Sequence, residues 1–381
     1  MKKKLTSAIA AAVLVLMLCS CSAGVLDTVP ADRINPITDA GFIEPDFVFE
    51  KTTRLLYEQL SQTEQLFYRH FYNTVFSHPE YIAVPGGLDD EKIQRVFISL
   101  KYDNPRLLCL KNSYKLMTFG DLVFIRPDYT CSAKTCTERA QTLTEKVFDL
   151  VSATAQMTDD VSKEIYLHDA LVAGCGYDAS NPGSNAYDAL ISGKAACGGY
   201  AMGMKLLLDA AGIRSAAVSG NAGTDGKFSP HMWLCVNADG FWYHLDPTWN
   251  DPVGAEKEIP VHAWFNASDR EMKATHRDYT LPKSVKCNSV SADYYRKTGL
   301  YCDGDNNAAV IEAALKRAFS EQTDFAELKF DSADEMKLAA KELFDDGGIR
   351  PYLTDAGFEA NASAVYSEVS AMGVLYIYTN R

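Results

Sequence analysis

The chain has 381 residues, 47% of them hydrophobic, and a formal net charge of −13. Length and composition of this kind belong to a globular protein of two or three domains and exclude fibrous and disordered classes. The acidic balance, with no basic stripe, excludes nucleic acid as a partner.

Lys2, Lys3 and Lys4 precede an apolar run over 9–18. That pattern reads as an export signal, too short to span a bilayer, so residues 1–20 are expected to be a signal peptide. The run Leu18-Cys19-Ser20-Cys21 resembles the lipobox of bacterial lipoproteins. The resemblance implies cleavage before Cys21 and a lipid on that residue. Residues 21–47, with Pro30, Pro36 and Pro45, read as a tether.

Residues 48–155 are expected to form an N-terminal extension domain of mixed α/β character. Leu55, Leu56, Leu60, Leu66, Phe67, Phe71, Val75 and Phe76 recur at helical spacing. A second helix is predicted over 93–100. After Asn104-Pro105 come strands over 107–110, 114–118 and 122–125, ending at Pro127, and then a helix over 137–155. The core is expected over 160–285. It has helices over 163–173, 186–191 and 197–211, the last stopped by Gly212. Strands follow over 215–218, 232–236 and 242–245. Gly220 to Gly226 reads as turn-rich and Asp239-Gly240 as a tight turn. Residues 290–381 read as a small α+β domain: helices over 308–320 and 333–344, and strands over 326–330, 365–369 and 374–378.

Ten cysteines are present, two of them in the N-terminal Cys-Ser-Cys. No Cys-x-x-Cys pair occurs, and His262 and His276 lack partners at metal-ligand spacing, so no metal site and no cofactor are expected. Cys131 and Cys136 form the nearest local pair for a disulfide.

Three residues carry candidate chemistry. Cys197 opens a predicted helix, where the dipole and free N–H groups favour a thiolate and can hold an oxyanion. Gly198 and Gly199 beside it leave room for a substrate carbonyl. His231 follows 34 residues later at the start of a strand, suited to take the thiol proton. Asp246 follows 15 residues after that, at the end of the next strand, suited to orient the imidazole. Alone, each has a bland alternative: a buried core cysteine, a structural histidine, an Asp-Pro turn. Their order, nucleophile on a helix start and base and orienter on adjacent strands, is papain-like. His244 shares the face of Asp246 and reads as structural. Trp233 and Trp249 flank the candidate triad and could line a groove with Gly198. Tyr177 is a candidate for holding the oxyanion.

The motifs Cys197-Gly198-Gly199-Tyr200-Ala201, His231-Met232-Trp233 and Asp246-Pro247-Thr248-Trp249 resemble the transglutaminase-like superfamily core of bacterial exported proteins. The likeness covers about 160–280 and takes in Leu167-His168-Asp169, Tyr177-Asp178, Ala211-Gly212-Ile213, Ser268 to Met272 and His276. Met232 departs from the usual Ala. The resemblance implies an α+β fold, with a helix-borne cysteine packed on an antiparallel sheet, and a Cys197–His231–Asp246 triad performing acyl transfer. Water as acceptor gives a peptidase or amidase, and a lysine amine gives a crosslinking transglutaminase. A surface binding or adaptor protein without turnover is the rival class. The expected substrate is a protein or peptide, cell-wall peptide included. The expected place is the outer face of the bacterial membrane or envelope, held by the N-terminal lipid.

Overall fold

The computed structural model describes residues 24–25, 36–44, 52–251 and 259–380. The signal peptide and Cys21 lie outside the described residues. The fold is mixed α+β, with three four-stranded sheets in chain order among the described residues.

The first sheet combines β1 (Gly24–Val25), β2 (Ile82–Val84), β3 (Leu110–Phe119) and β4 (Leu122–Tyr129) in the order β1-β3-β4-β2. Part of the expected tether is thus paired: Gly24 and Val25 run parallel to Met117 and Thr118. Helices α1 (Gln62–Val75) and α2 (Asp90–Asp103) pack against this sheet through Phe67, Phe71, Ile93, Phe97, Tyr114 and Ile125. Strand β4 runs past Pro127, which pairs with Tyr114 where the register shifts. Asp103 is buried, and its carboxylate accepts the N–H groups of Leu56 and Tyr57 at 3.1 and 2.8 Å.

Three helices lead to the second sheet: α3 (Ala133–Ser152), α4 (Asp160–Gly174) and α5 (Cys197–Ala211). Between α4 and α5, the short strands β5 (Gly176–Tyr177) and β6 (Lys194–Ala195) pair in parallel. The second sheet has the order β10-β7-β8-β9, from β7 (Arg214–Thr224), β8 (Lys227–Ala238), β9 (Phe241–Leu245) and β10 (His276–Arg277). Gly212 ends α5 at φ 80°, a left-handed stop that suits glycine. Asp239 and Gly240 both have positive φ, as a tight β8–β9 hairpin requires.

Alternation along β7 and β8 explains why this sheet is buried on both faces. Ala217, Met232, Leu234 and Val236 face α5, whereas Ala216, Val218, Trp233 and Cys235 face the C-terminal part of the chain. The stretch expected to be turn-rich is strand up to Thr224, with the hairpin at Asp225-Gly226. Its glycines serve close approach: a Cβ at Gly220 would sit 2.8 Å from Arg277 O and 2.9 Å from the Trp233 ring.

The third sheet, β11-β12-β14-β13, contains β11 (Tyr301–Cys302), β12 (Phe325–Phe330), β13 (Ser363–Val369) and β14 (Val374–Asn380). Short helices α6 (Asp269–Met272) and α7 (Tyr294–Thr298) precede it. Helices α8 (Asn307–Ser320), α9 (Ala333–Ala340) and α10 (Ile349–Ala356) accompany it. Helix α10 carries Pro351 in its first turn and was not expected. The apolar core runs unbroken from Trp233 and Cys235 to Leu328 and Ile377.

Candidate active site

Helix α5 begins at Cys197, so the first backbone N–H groups beside the sulfur have no partner within the helix. The helix start is held by Ser184, whose Oγ accepts the Ala196 N–H at 2.9 Å. Gly199 is required here: a Cβ would meet Ala195 Cβ at 2.5 Å and Ser184 Oγ at 2.9 Å. At Gly198 the nearest atom would be 3.5 Å away. Of the two glycines, only Gly198 could carry a methyl group without a clash. Tyr200, buried one turn along, has its O–H shared between two acceptors, Cys175 O and Asp251 Oδ2, both at 2.5 Å. It thereby ties the helix to the loop that follows Asp246.

His231 sits on β8 opposite Gly220. Its Nε2 lies 2.7 Å from Asp246 Oδ2, and the same imidazole is the charge partner of the Cys197 thiol. Nε2 being committed to the carboxylate, Nδ1 is the nitrogen left for the sulfur. Asp246 is fully buried after β9, and its Oδ1 accepts the N–H groups of Thr248 and Trp249 at 3.0 and 3.2 Å. The Asp-Pro-Thr-Trp turn is thus what aims the other oxygen at His231. Cys197, His231 and Asp246 are brought together.

Electrostatics favour an ion pair. Burial opposes ionisation of Cys197, but the His231 hydrogen bond and charge and the Met232 N–H outweigh it, so the thiol pKa falls. Burial likewise opposes protonation of His231, yet the Asp246 charge and hydrogen bond, with the sulfur, push it up to about 10. Asp246 is buried too, but His231 and His276 hold it well below the usual carboxylate range.

The spacing of the motifs did not reveal the part played by His276. From β10, its Nε2 reaches Asp246 Oδ2 at 3.0 Å, while Nδ1 lies 2.9 Å from Thr275 Oγ1. Thr275 in turn accepts Trp264 Nε1–H at 3.2 Å. Burial and the His231 charge keep His276 down, so it serves as a neutral donor. Beyond the resemblance that takes in His276, no sequence signal could have found this role, because the contact is made through the pairing of β10 with β7. Tyr102, at the end of α2, is a second unexpected neighbour: its phenol bonds Ser219 and feels the Cys197 charge.

Other candidates are placed as follows. Tyr177 is half-buried on β5, and burial, with the Cys197 and Asp246 charges, raises its phenol to about 12. Trp249 is half-buried, its ring 6.1 Å from His231 and 4.9 Å from His276. Trp233 does not line an open groove: it is fully buried because its β8 position faces the core, and it stacks 6.1 Å behind His231. His244 lies one layer deeper, its Nε2 2.9 Å from Asp269 Oδ1.

Two further arrangements differ from expectation. The disulfide joins Cys109 to Cys136, not Cys131 to Cys136, because Cys109 at the start of β3 lies against the head of α3. Cys131 remains a thiol, 2.9 Å from Cys109. His262, expected to lack partners at metal-ligand spacing in the sequence, bridges Asp169 at 2.9 Å and Glu327 at 2.6 Å from remote elements. Asp169 also takes His168 Nδ1 at 2.8 Å, and His168 Nε2 meets Asn250 at 3.1 Å. A buried polar chain therefore runs from β12 to the loop after Asp246.

No curated protein matches the chain. Solved structures with similarity include a Cytophaga hutchinsonii protein provisionally assigned as a cysteine protease, at 18% identity over 32% of this chain and 41% of that one, TM-score 0.26. A transglutaminase structure matches at 14% identity over 49% and 54%, TM-score 0.26. The periplasmic domain of TgpA from Pseudomonas aeruginosa, bound to ethylmercury, matches at 19% identity over 34% and 56%, TM-score 0.24. The chain thus spans only 41 to 56% of the chains it matches. Residues 134–247, from the head of α3 to just past Asp246, match the model of the transglutaminase-like superfamily, and this segment is a domain of that superfamily.

Proposed function

We propose that the chain is a thiol-dependent acyl-transfer enzyme acting on amide bonds of peptides or proteins, with hydrolysis as the outcome. The observation that carries the reading is the Cys197 sulfur at a helix start, with His231 as its charge partner and the His231 Nε2 held by the buried Asp246. In this mechanism the Cys197 thiolate attacks the carbonyl carbon, and the free N–H groups at the head of α5 receive the oxyanion. His231 gives its Nδ1 proton to the departing amine, leaving a thioester. His231 then takes a proton from water, which attacks the thioester and releases the acid and the Cys197 thiolate, restoring the thiolate–imidazolium pair. Asp246 and His276 keep the imidazole turned towards the sulfur.

Export through residues 1–20 and a lipid on Cys21 would present the site on the outer face of the membrane, where cell-wall peptide and surface proteins are the accessible amides. Hydrolysis is favoured over crosslinking by that location, by fold-level analogy. The test uses the full-length protein in detergent, incubated with fluorescent casein and, separately, with a fluorescent amine plus casein. Cleavage that disappears in Cys197→Ala supports the proposal. Cleavage that survives in Cys197→Ala overturns it, and amine incorporation without cleavage replaces hydrolysis with crosslinking.

A further inference from the structure

Behind Trp233 lies a second cluster of ligating side chains that the acyl-transfer site does not use. Cys235 on β8 and His244 on β9 are directly opposed across the hairpin, so their side chains share a face. Cys287 enters from the segment between β10 and α7. Cys235 Sγ lies 3.7 Å from Cys287 Sγ and 3.5 Å from His244 Nδ1, and the three ligating atoms all fall within 4.8 Å of one another. All three residues are fully buried. Around a tetrahedral zinc ion, with Zn–S near 2.3 Å and Zn–N near 2.0–2.1 Å, two sulfurs stand about 3.8 Å apart and a sulfur and a nitrogen about 3.5 Å apart.

Asp269 organises the cluster. Its Oδ1 lies 2.9 Å from His244 Nε2, which places the ring proton there and turns the Nδ1 lone pair to the sulfurs. The indole N–H of Trp233, a donor only, lies 3.1 Å from that same Nδ1 and reports the same tautomer. Asp269 Oδ2 accepts the Cys287 N–H at 3.2 Å, and the Asp269 N–H donates to Cys287 O at 2.6 Å. One carboxylate therefore fixes both a histidine and a cysteine, as the carboxylate behind a metal-bound histidine does.

We propose that Cys235, His244 and Cys287 form a zinc(II) site that fastens the segment between β10 and α7 to the back of the sheet carrying His231. Two sulfurs and an imidazole are the soft donor set that selects zinc over calcium or magnesium. Binding replaces the thiol protons of Cys235 and Cys287, which pass to solvent, and turns the Trp233 N–H away from Nδ1. His244 enters neutral, and the two thiolates balance the dipositive ion. Water completes the fourth position. The competing fate of the two sulfurs is a disulfide, which requires them to close to about 2.05 Å.

The test is metal content and thiol mapping of the full-length protein purified in detergent under mild reductant. The expected result is one zinc per chain, replaceable by cobalt(II) with a thiolate-to-cobalt charge-transfer band in the near ultraviolet. Cys287→Ser and His244→Gln should each weaken zinc binding at least tenfold, whereas Cys302→Ser, at a buried cysteine outside the cluster, should leave it unchanged. If these variants fail to fold, the wild-type protein still decides: chelation should lower its thermal midpoint and zinc alone should restore it. Absence of zinc from wild-type protein with all thiols reduced overturns the proposal, and so does a Cys235–Cys287 disulfide in a non-reducing peptide map.

Discussion

His276 Nε2 lies 3.0 Å from Asp246 Oδ2, the same oxygen that His231 engages at 2.7 Å. The carboxylate is fully buried and spends both oxygens on four donors: two ring nitrogens and the N–H groups of Thr248 and Trp249. His276→Leu removes one donor from a buried charge. The expected loss is about 2 kcal/mol of stability, read from urea unfolding. His276→Gln keeps an N–H in reach and should lose less than about 1 kcal/mol. Equal stability of the Leu variant and the parent would exclude this role.

The Cys197–His231 pair sets a pH window. With the thiol pKa lowered and His231 pushed up to about 10, the site favours a thiolate–imidazolium pair. Iodoacetamide should therefore alkylate Cys197 well below the free-thiol pKa of about 8.5. In His231→Ala the profile should move up to at least that value, with alkylation at pH 6 slowed by roughly 100-fold. The stability linkage has a definite sign. His231 is raised above its unfolded value of about 6.5, so its contribution is fully present below that pH and is lost as pH rises through about 10.

Glu327 and His262 couple the third sheet to the second. Burial opposes the charge on His262, but Glu327 and Asp169 outweigh it and push the imidazole up to about 9. The unfolded value is about 6.5, so the stabilisation is complete below that pH and fades as pH rises through about 9. Glu327→Gln should lower the thermal midpoint near pH 6.5 and flatten its fall between pH 7 and 9. An unchanged slope in calorimetry would rule out this pair as the source.

Gly198 and Gly199 separate space from packing. A methyl group at 199 meets Ala195 and Ser184 at under 3 Å, so Gly199→Ala should destabilise by about 1–3 kcal/mol, as overpacking does. Gly198→Ala has ordinary contact with its surroundings and should stay within about 1 kcal/mol. Chemical unfolding of the two variants side by side makes the comparison.

The Cys109–Cys136 bridge closes a loop of 27 residues. Its reduction should lower stability by about 3 kcal/mol. Cys131→Ser should leave that bridge intact in a non-reducing peptide map, and recovery of a Cys131–Cys136 peptide from the parent would contradict it.

The sequence was legible where one signal dominated locally. Helix α5 runs from Cys197 to Ala211 because its apolar residues, its opening cysteine and its Gly212 stop agree. The hairpin at Asp239-Gly240 follows from two residues that tolerate positive φ. Legibility failed where glycine had two meanings. Gly220 and Gly223 read as turn residues, yet they sit inside β7, where neighbouring backbone comes too close for any side chain. It failed again where partners are remote. His276 meets Asp246 only through the pairing of β10 with β7, and His262 meets Glu327 across 65 residues. Cys109, at the start of β3, could not be chosen over Cys131 from spacing, because three sulfurs converge there.

The loop after Asp246 also fixes when the site matures. Cys197, His231 and Asp246 have all been synthesised once translation passes residue 246. Two groups that hold Asp246 come later: Trp264 O receives its backbone N–H, and His276 supplies the second imidazole to its carboxylate. A chain emerging in order therefore holds all three reactive residues about thirty residues before His276 exists. The second imidazole reaches the carboxylate through the pairing of β10 with β7, so a site whose reactive residues end at Asp246 is completed by a strand made after all three.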